Sequence, residues 1–266
     1  MNRSPVSRST DPVTAANEDV RAYWEPEPCG TSRAVVGDLP GRTREWFEEV
    51  ERFRYEAEPF IHSVAQFTRH SGKTILEIGV GAGTDHLQWA RAGCRCFGVD
   101  LTDSAIETTR TRLSLYGFSS ELQRIDAEEL PYRAESFDVV YSWGVIHHSA
   151  RPERIVSEIH RVLRPGGVFI GMMYSRRSVT ALRFWVRFAL LGGRPWRTIR
   201  DVMATHVESA GTKAYTIREL RQLFSAFRTF SARPMITVAD TADWPRWISQ
   251  FFPDAWGWFI ALRAER

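Results

Sequence analysis

The chain reads as an α/β protein built on a doubly wound, mostly parallel sheet, and three observations predict this. From residue 71 onward, short apolar runs alternate with helix-period patterns, as expected for strands joined by crossover helices. Ile75, Leu76 and Ile78 form a strand interrupted by Glu77, after which Gly79, Gly81 and Gly83 let the backbone turn tightly and approach a ligand without Cβ contacts. Phe97-Gly-Val-Asp100 follows after a helix-length gap and ends a second strand on a carboxylate placed to accept from both hydroxyls of a ribose. A dinucleotide loop reads G-x-G-x-x-G and sets a pyrophosphate on the next helix. Here the glycines run G-x-G-x-G and the helix opens with Thr84-Asp85, whose charge repels a pyrophosphate. The loop therefore points to a nucleoside.

The elements before this loop follow in order. At 266 residues and 43% apolar, the chain can bury one full core with decorations. Residues 1–20, rich in Ser, Thr, Arg, Pro and Asn, read as a disordered tail. Residues 21–70 read as an N-terminal cap. Pro26 and Pro28 keep Ala22–Thr31 from forming a long helix, so an aromatic-bearing loop is expected there. Residues 44–57 carry Trp46, Phe47, Val50, Phe53 and Ala57 at helical spacing, a stripe that faces a core. Tyr55 projects from the other side and needs a second partner.

Ordered motifs across residues 74–170 resemble those of the class I S-adenosylmethionine-dependent methyltransferases, specifically the type 11-like, small-molecule subgroup. Glu77-Ile-Gly-Val-Gly-Ala-Gly-Thr84 with Val99-Asp100 is similar to the first two motifs, and Arg124-Ile-Asp-Ala-Glu-Glu-Leu-Pro131 to the third. Phe137–Ser149 resembles the fourth-strand motif that ends beside the transferable methyl, and His160–Ile170 the helix-turn-fifth-strand signature. The resemblance implies S-adenosyl-L-methionine as cofactor, held by Glu77, Gly79, Gly81, Gly83, Asp100, Leu101, Asp126, Ala127 and Trp143. Asp126 would bond the adenine amino group, and Ala127 would offer its amide to the ring. It also implies that Tyr55 bonds the methionine carboxylate; the alternative is that Tyr55 packs on a neighbouring helix. The implied fold is a Rossmann-like sheet of seven strands in the order 3-2-1-4-5-7-6 with the last strand antiparallel, residues 71–266 forming the cofactor-binding domain.

Regular alternation stops after Arg164. Thr216-Ile-Arg-Glu219 opens a helix with a capping box and a stripe of Ile217, Leu220, Leu223, Phe224 and Phe227, and Phe230–Val238 and Trp258–Leu262 read as the last strands. Residues 171–215 are then an insertion where relatives place a substrate lid. Within it Leu182–Leu191 is apolar around nearly its whole circumference, apart from Arg183 and Arg187, so it needs cover from a substrate and the sheet domain, a second subunit, or a membrane surface.

Transfer from a sulfonium requires alignment, an aromatic face near the cation, and exclusion of water. Trp24, Tyr55 or Trp143 could supply the face. If the acceptor is a hydroxyl or a protonated amine, a base is needed, and His147 and His148 at the carboxyl edge of the sheet are the leading candidates. Tyr174, His206, Glu208 and Asp240 are weaker ones, and Arg176 and Arg177 could hold an anionic acceptor. No residue set calls for a metal: Cys29, Cys94 and Cys96 lack zinc spacing and read as packing residues. Only Lys73 and Lys213 are lysines and the net charge is +3, with no basic block, so no nucleic-acid partner is expected. Without a signal segment or a spanning run, a cytoplasmic protein is expected, possibly a homodimer. The leading reading is a methyltransferase acting on oxygen or nitrogen of a metabolite, such as a natural-product or sugar intermediate. A peptide or RNA methyltransferase, a non-catalytic cofactor-binding scaffold and a nicotinamide enzyme are the alternatives.

Overall fold

The computed structural model describes residues 12–266. Seven strands, β1 (Thr74–Ile78), β2 (Arg95–Asp100), β3 (Glu121–Arg124), β4 (Phe137–Trp143), β5 (Leu163–Tyr174), β6 (Thr229–Met235) and β7 (Phe259–Glu265), form one sheet in the order 3-2-1-4-5-7-6. β1 pairs in parallel with β2 and β4, while β7 runs antiparallel between β5 and β6. Side chains alternate between the two faces. Ile75, Val139, Tyr141 and Ile170 enter one core, and Leu76, Ile78, Val140 and Phe169 the other. Both faces are covered, which is why these strands are apolar throughout.

A helix at Arg44–Ala57 opens on Thr43, whose hydroxyl accepts from the Trp46 amide, and it buries Trp46, Phe47 and Val50. Phe53 departs from the expected stripe and is exposed. This helix is tied to the sheet domain by Arg112, which is fully buried. Its guanidinium donates to the carbonyls of Phe47 and Ala82 and to Thr84 Oγ1 and Glu51, joining cap and glycine loop in one network.

Part of the expected tail is ordered: a helix spans Pro12–Trp24, while residues 1–11 lie outside the described part of the chain. The helix is polar in sequence, and its anchor is tertiary. Asn17 Nδ2 donates to Asp126 and Glu128 at 2.9 and 2.8 Å, and its Oδ1 accepts the Ala150 amide. The chain then turns through Pro26 and Pro28 as composition requires.

After β5 the chain forms a helix at Val179–Trp185, a wider π turn at Val186–Leu190 and a helix at Ile199–His206. The capping box at Thr216 and Glu219 starts the helix Ile217–Leu223. Among the described residues no helix is long and apolar enough to cross a membrane.

Candidate active site

The carboxyl ends of β1, β2 and β4 open onto a cavity of about 390 Å³. Its floor is the glycine loop. Gly79 adopts φ +81°, and a Cβ there would lie 2.1 Å from Val145 Cγ2, so the loop after β4 can pass only over a glycine. Gly81, also at positive φ, faces open space that a Cβ would fill, so its backbone is free to meet a ligand. Gly83 does not line the cavity; it packs against Thr109.

At one end, Asp100 accepts from the Gly81 amide through one oxygen and from the Thr102 amide and hydroxyl through the other. Burial pushes its pKa up against the pull of these donors. The oxygen on Gly81 keeps a lone pair for a ribose hydroxyl, while the other is filled by Thr102. Leu101, Asp126 and Ala127 line the same end, with Asn17 on the carboxylate of Asp126.

The middle of the cavity holds an acidic cluster. Asp85 accepts from Arg54 at 2.6 Å, Tyr141 at 2.8 Å and Tyr55 at 3.0 Å. Burial opposes its ionisation, yet the Arg54 guanidinium and these donors hold it below the usual carboxylate range. Glu77 is different: burial, then the charge of Asp85, pushes it far up. Burial drives its neighbour His86, 2.9 Å away, down to about 4. Trp143 lines the wall and donates to Glu58. Tyr55 does not reach the cavity. Its hydroxyl is spent on Asp85 and its ring packs on His62, while Arg54, one residue earlier, lines the wall.

At the far end stand Trp24, Cys29, His148, Tyr174, Glu208, Val238, Trp258 and Phe259. Cys29, expected as a packing residue, is exposed to this space, and burial within the protein pushes its thiol up to about 11, which keeps it protonated. His148 Nδ1 lies 3.0 Å from Thr212 Oγ1 and 2.9 Å from Ser209 Oγ. The Thr212 hydroxyl donates to the Ser209 carbonyl, and on the other side of the ring Nε2 faces Glu208 Oε2 at 3.2 Å. Tyr174 donates to the same carboxylate.

Five expected site residues stand elsewhere. His147 is sealed under His148 and stacked 3.9 Å from Tyr174, with neither ring nitrogen partnered, and burial depresses it far below the ordinary range. A buried neutral imidazole off the cavity cannot take an acceptor's proton. Donor atoms of His147, His148 and Glu208 nevertheless come within 4.8 Å of one another, a grouping that sequence spacing did not reveal. Arg176 is held by Glu219 and the Ala214 carbonyl, Arg177 lies at a separate pocket, and His206 is exposed against Phe188. Asp240 is fully buried and serves Thr180, Thr237 and the Trp258 amide. Arg176 and Asp240 are thus taken by partners that meet them only in the folded chain.

Residues 76–171 match the family model described as a methyltransferase domain. The chain belongs to the class I S-adenosylmethionine-dependent methyltransferases. Its cofactor is therefore S-adenosylmethionine, and the open face of Gly81 and the free lone pair of Asp100 suit the nucleoside. Among its relatives, the phthiotriol/phenolphthiotriol dimycocerosates methyltransferase of Mycobacterium tuberculosis is 32% identical over 68% of this chain and 66% of its own. The ubiquinone biosynthesis O-methyltransferase of Pseudomonas syringae pv. tomato is 24% identical over 51% of this chain and 60% of its own. The chain thus spans less than two thirds of either relative. In fold it is similar to the geranyl diphosphate C-methyltransferase of Streptomyces coelicolor A3(2), with a TM-score of 0.58, 15% identity, and coverage of 96% of this chain and 98% of that one.

Proposed function

We propose that the chain transfers the methyl group of S-adenosylmethionine to an oxygen or nitrogen of a small, largely apolar molecule. The observation that carries this reading is the far end of the cavity: Trp24, Tyr174, Trp258 and Phe259 wall it, and its polar groups converge on His148 and Glu208. Relatives named for lipid and quinone-precursor methylation are consistent with such an acceptor.

When bound, the cofactor supplies an electrophilic methyl on a sulfonium. Arg54, on the cavity wall, binds the methionine carboxylate, and Asp100 and Asp126 hold ribose and adenine. Trp24 and Trp143 offer aromatic faces to the cationic end. The Glu208 carboxylate on the cavity wall takes the acceptor's proton and passes it to His148 Nε2, which lies 3.2 Å behind it and is itself closed off from the cavity. Residues 171–174, expected in the lid, belong to β5, and residues 175–215 act as a lid through Glu208, whereas Leu182–Leu191 stays off the cavity wall.

Acceptor screening by mass spectrometry, with methyl incorporation as readout, tests the reaction. With an accepted substrate, His148→Ala is expected to lower kcat by about 100-fold or more while leaving S-adenosylhomocysteine affinity unchanged. Turnover near that of the native chain would remove His148 from the chemistry.

A further inference from the structure

The chain carries a surface that the methyl-transfer reading does not use. Its most exposed large apolar residues gather on two neighbouring segments, with Leu191 at 77%, Trp196 at 76%, Trp247 at 69% and Phe251 at 78% exposure. Leu182, Leu190, Val238 and Trp244 are exposed beside them. The first segment is folded back on itself: the Arg194 amide donates to the Ala189 carbonyl and Trp185 Nε1 to the Arg197 carbonyl, both at 2.7 Å, so Leu190, Leu191 and Trp196 share one turn. Arg183 fixes it to the second segment by donating to the Ala239 carbonyl and pairing with Asp243. Neither segment finds the cover its apolar residues call for.

Charge says what kind of cover fits. Between Arg176 and Arg200 there are seven arginines and no acidic residue. Arg176 and Arg200 pair with Glu219 and Arg183 with Asp243, while Arg177, Arg187 and Arg194 form no ion pair with an acidic side chain among the described residues. The acids of the second segment are neutralised or hidden: Asp240 is buried, Asp243 pairs with Arg183 and Asp254 with Arg233. Tryptophan and leucine among unneutralised arginines is the composition of an element lying in the headgroup region of a bilayer. A basic protein surface would repel it. Val238, half exposed in this patch, also lines the cavity, so the cavity reaches the surface where the patch lies.

We infer that this face binds the surface of an anionic lipid bilayer, with Leu190, Leu191, Trp196, Trp247 and Phe251 entering the headgroup layer and Arg187 and Arg194 meeting lipid phosphates. Flotation of the full chain with vesicles tests it, using phosphatidylcholine alone and equal parts phosphatidylcholine and phosphatidylglycerol. The native chain is expected to float with the mixed vesicles, to detach as salt rises, and to shift its indole emission to the blue. Leu191→Glu/Trp196→Glu and Trp247→Glu/Phe251→Glu should each weaken partitioning about tenfold or more while S-adenosylhomocysteine binding stays intact. If a glutamate pair fails to bind that nucleoside, Leu191→Ser/Trp196→Ser replaces it, with the same loss expected. No flotation at low salt, or flotation unaltered by the substitutions, overturns the inference. So does a native dimer that the substitutions dissociate without any vesicle binding, which would assign the face to a second copy. None of these outcomes depends on methyl transfer.

Discussion

Arg54 and Tyr55 show how much one position along a helix decides. The two side chains are about 100° apart on the helix, and both reach Asp85, yet only Arg54 borders the cavity. Arg54→Met is expected to weaken S-adenosylhomocysteine binding by about tenfold or more, because it removes a charge-assisted contact. Tyr55→Phe should change affinity by no more than about threefold, since it costs Asp85 one of three donors. Equal losses by calorimetry would return the carboxylate role to Tyr55. The glycine loop, Asp100 and Asp126 were legible because their residue types are forced by backbone conformation and hydroxyl geometry. Arg54 and His148 were not separable from Tyr55 and His147 by residue type alone, because orientation on a helix or a single turn belongs to tertiary packing.

At the scale of elements, those whose start is written in a local signal matched expectation. Thr216 and Glu219 form the foreseen capping box, and the fold adds a partner the spacing could not give: Arg176 on Glu219. Burial raises the Glu219 carboxyl, but hydrogen bonds from Arg176 and Thr216 override this and bring it down to about 2. A carboxylate depressed on folding adds stability that is complete above its unfolded value near 4.3, and this is lost as pH falls toward about 2. Denaturation midpoints followed from pH 5 to pH 2 should therefore fall less steeply in Glu219→Gln than in the native chain, and parallel curves would argue against it. The Pro12–Trp24 helix escaped prediction for the opposite reason. Its own residues favour no buried stripe, and its order is imposed by Asn17 on groups more than a hundred positions away.

For the molecule as a whole, strand order was legible through the resemblance of the ordered motifs to a known family and not through every strand, since β3 (Glu-Leu-Gln-Arg) is polar and mostly exposed. The join between cap and sheet domain was hidden in one residue of an unremarkable helix. Removing the Arg112 guanidinium strands two backbone carbonyls, Thr84 and Glu51 together, so Arg112→Met is expected to cost about 2–4 kcal/mol in chemical denaturation. A loss under about 1 kcal/mol would show that cap and loop hold each other by apolar contact alone. The Pro12–Trp24 helix adds a different kind of link. It borders the nucleoside end through Asn17 and the acceptor end through Trp24, so one rigid rod touches both substrates' compartments. Lifting it to admit one unmakes the wall of the other. The two ends are thereby coupled through one element, and Asn17→Ala is expected to weaken nucleoside binding and acceptor binding together.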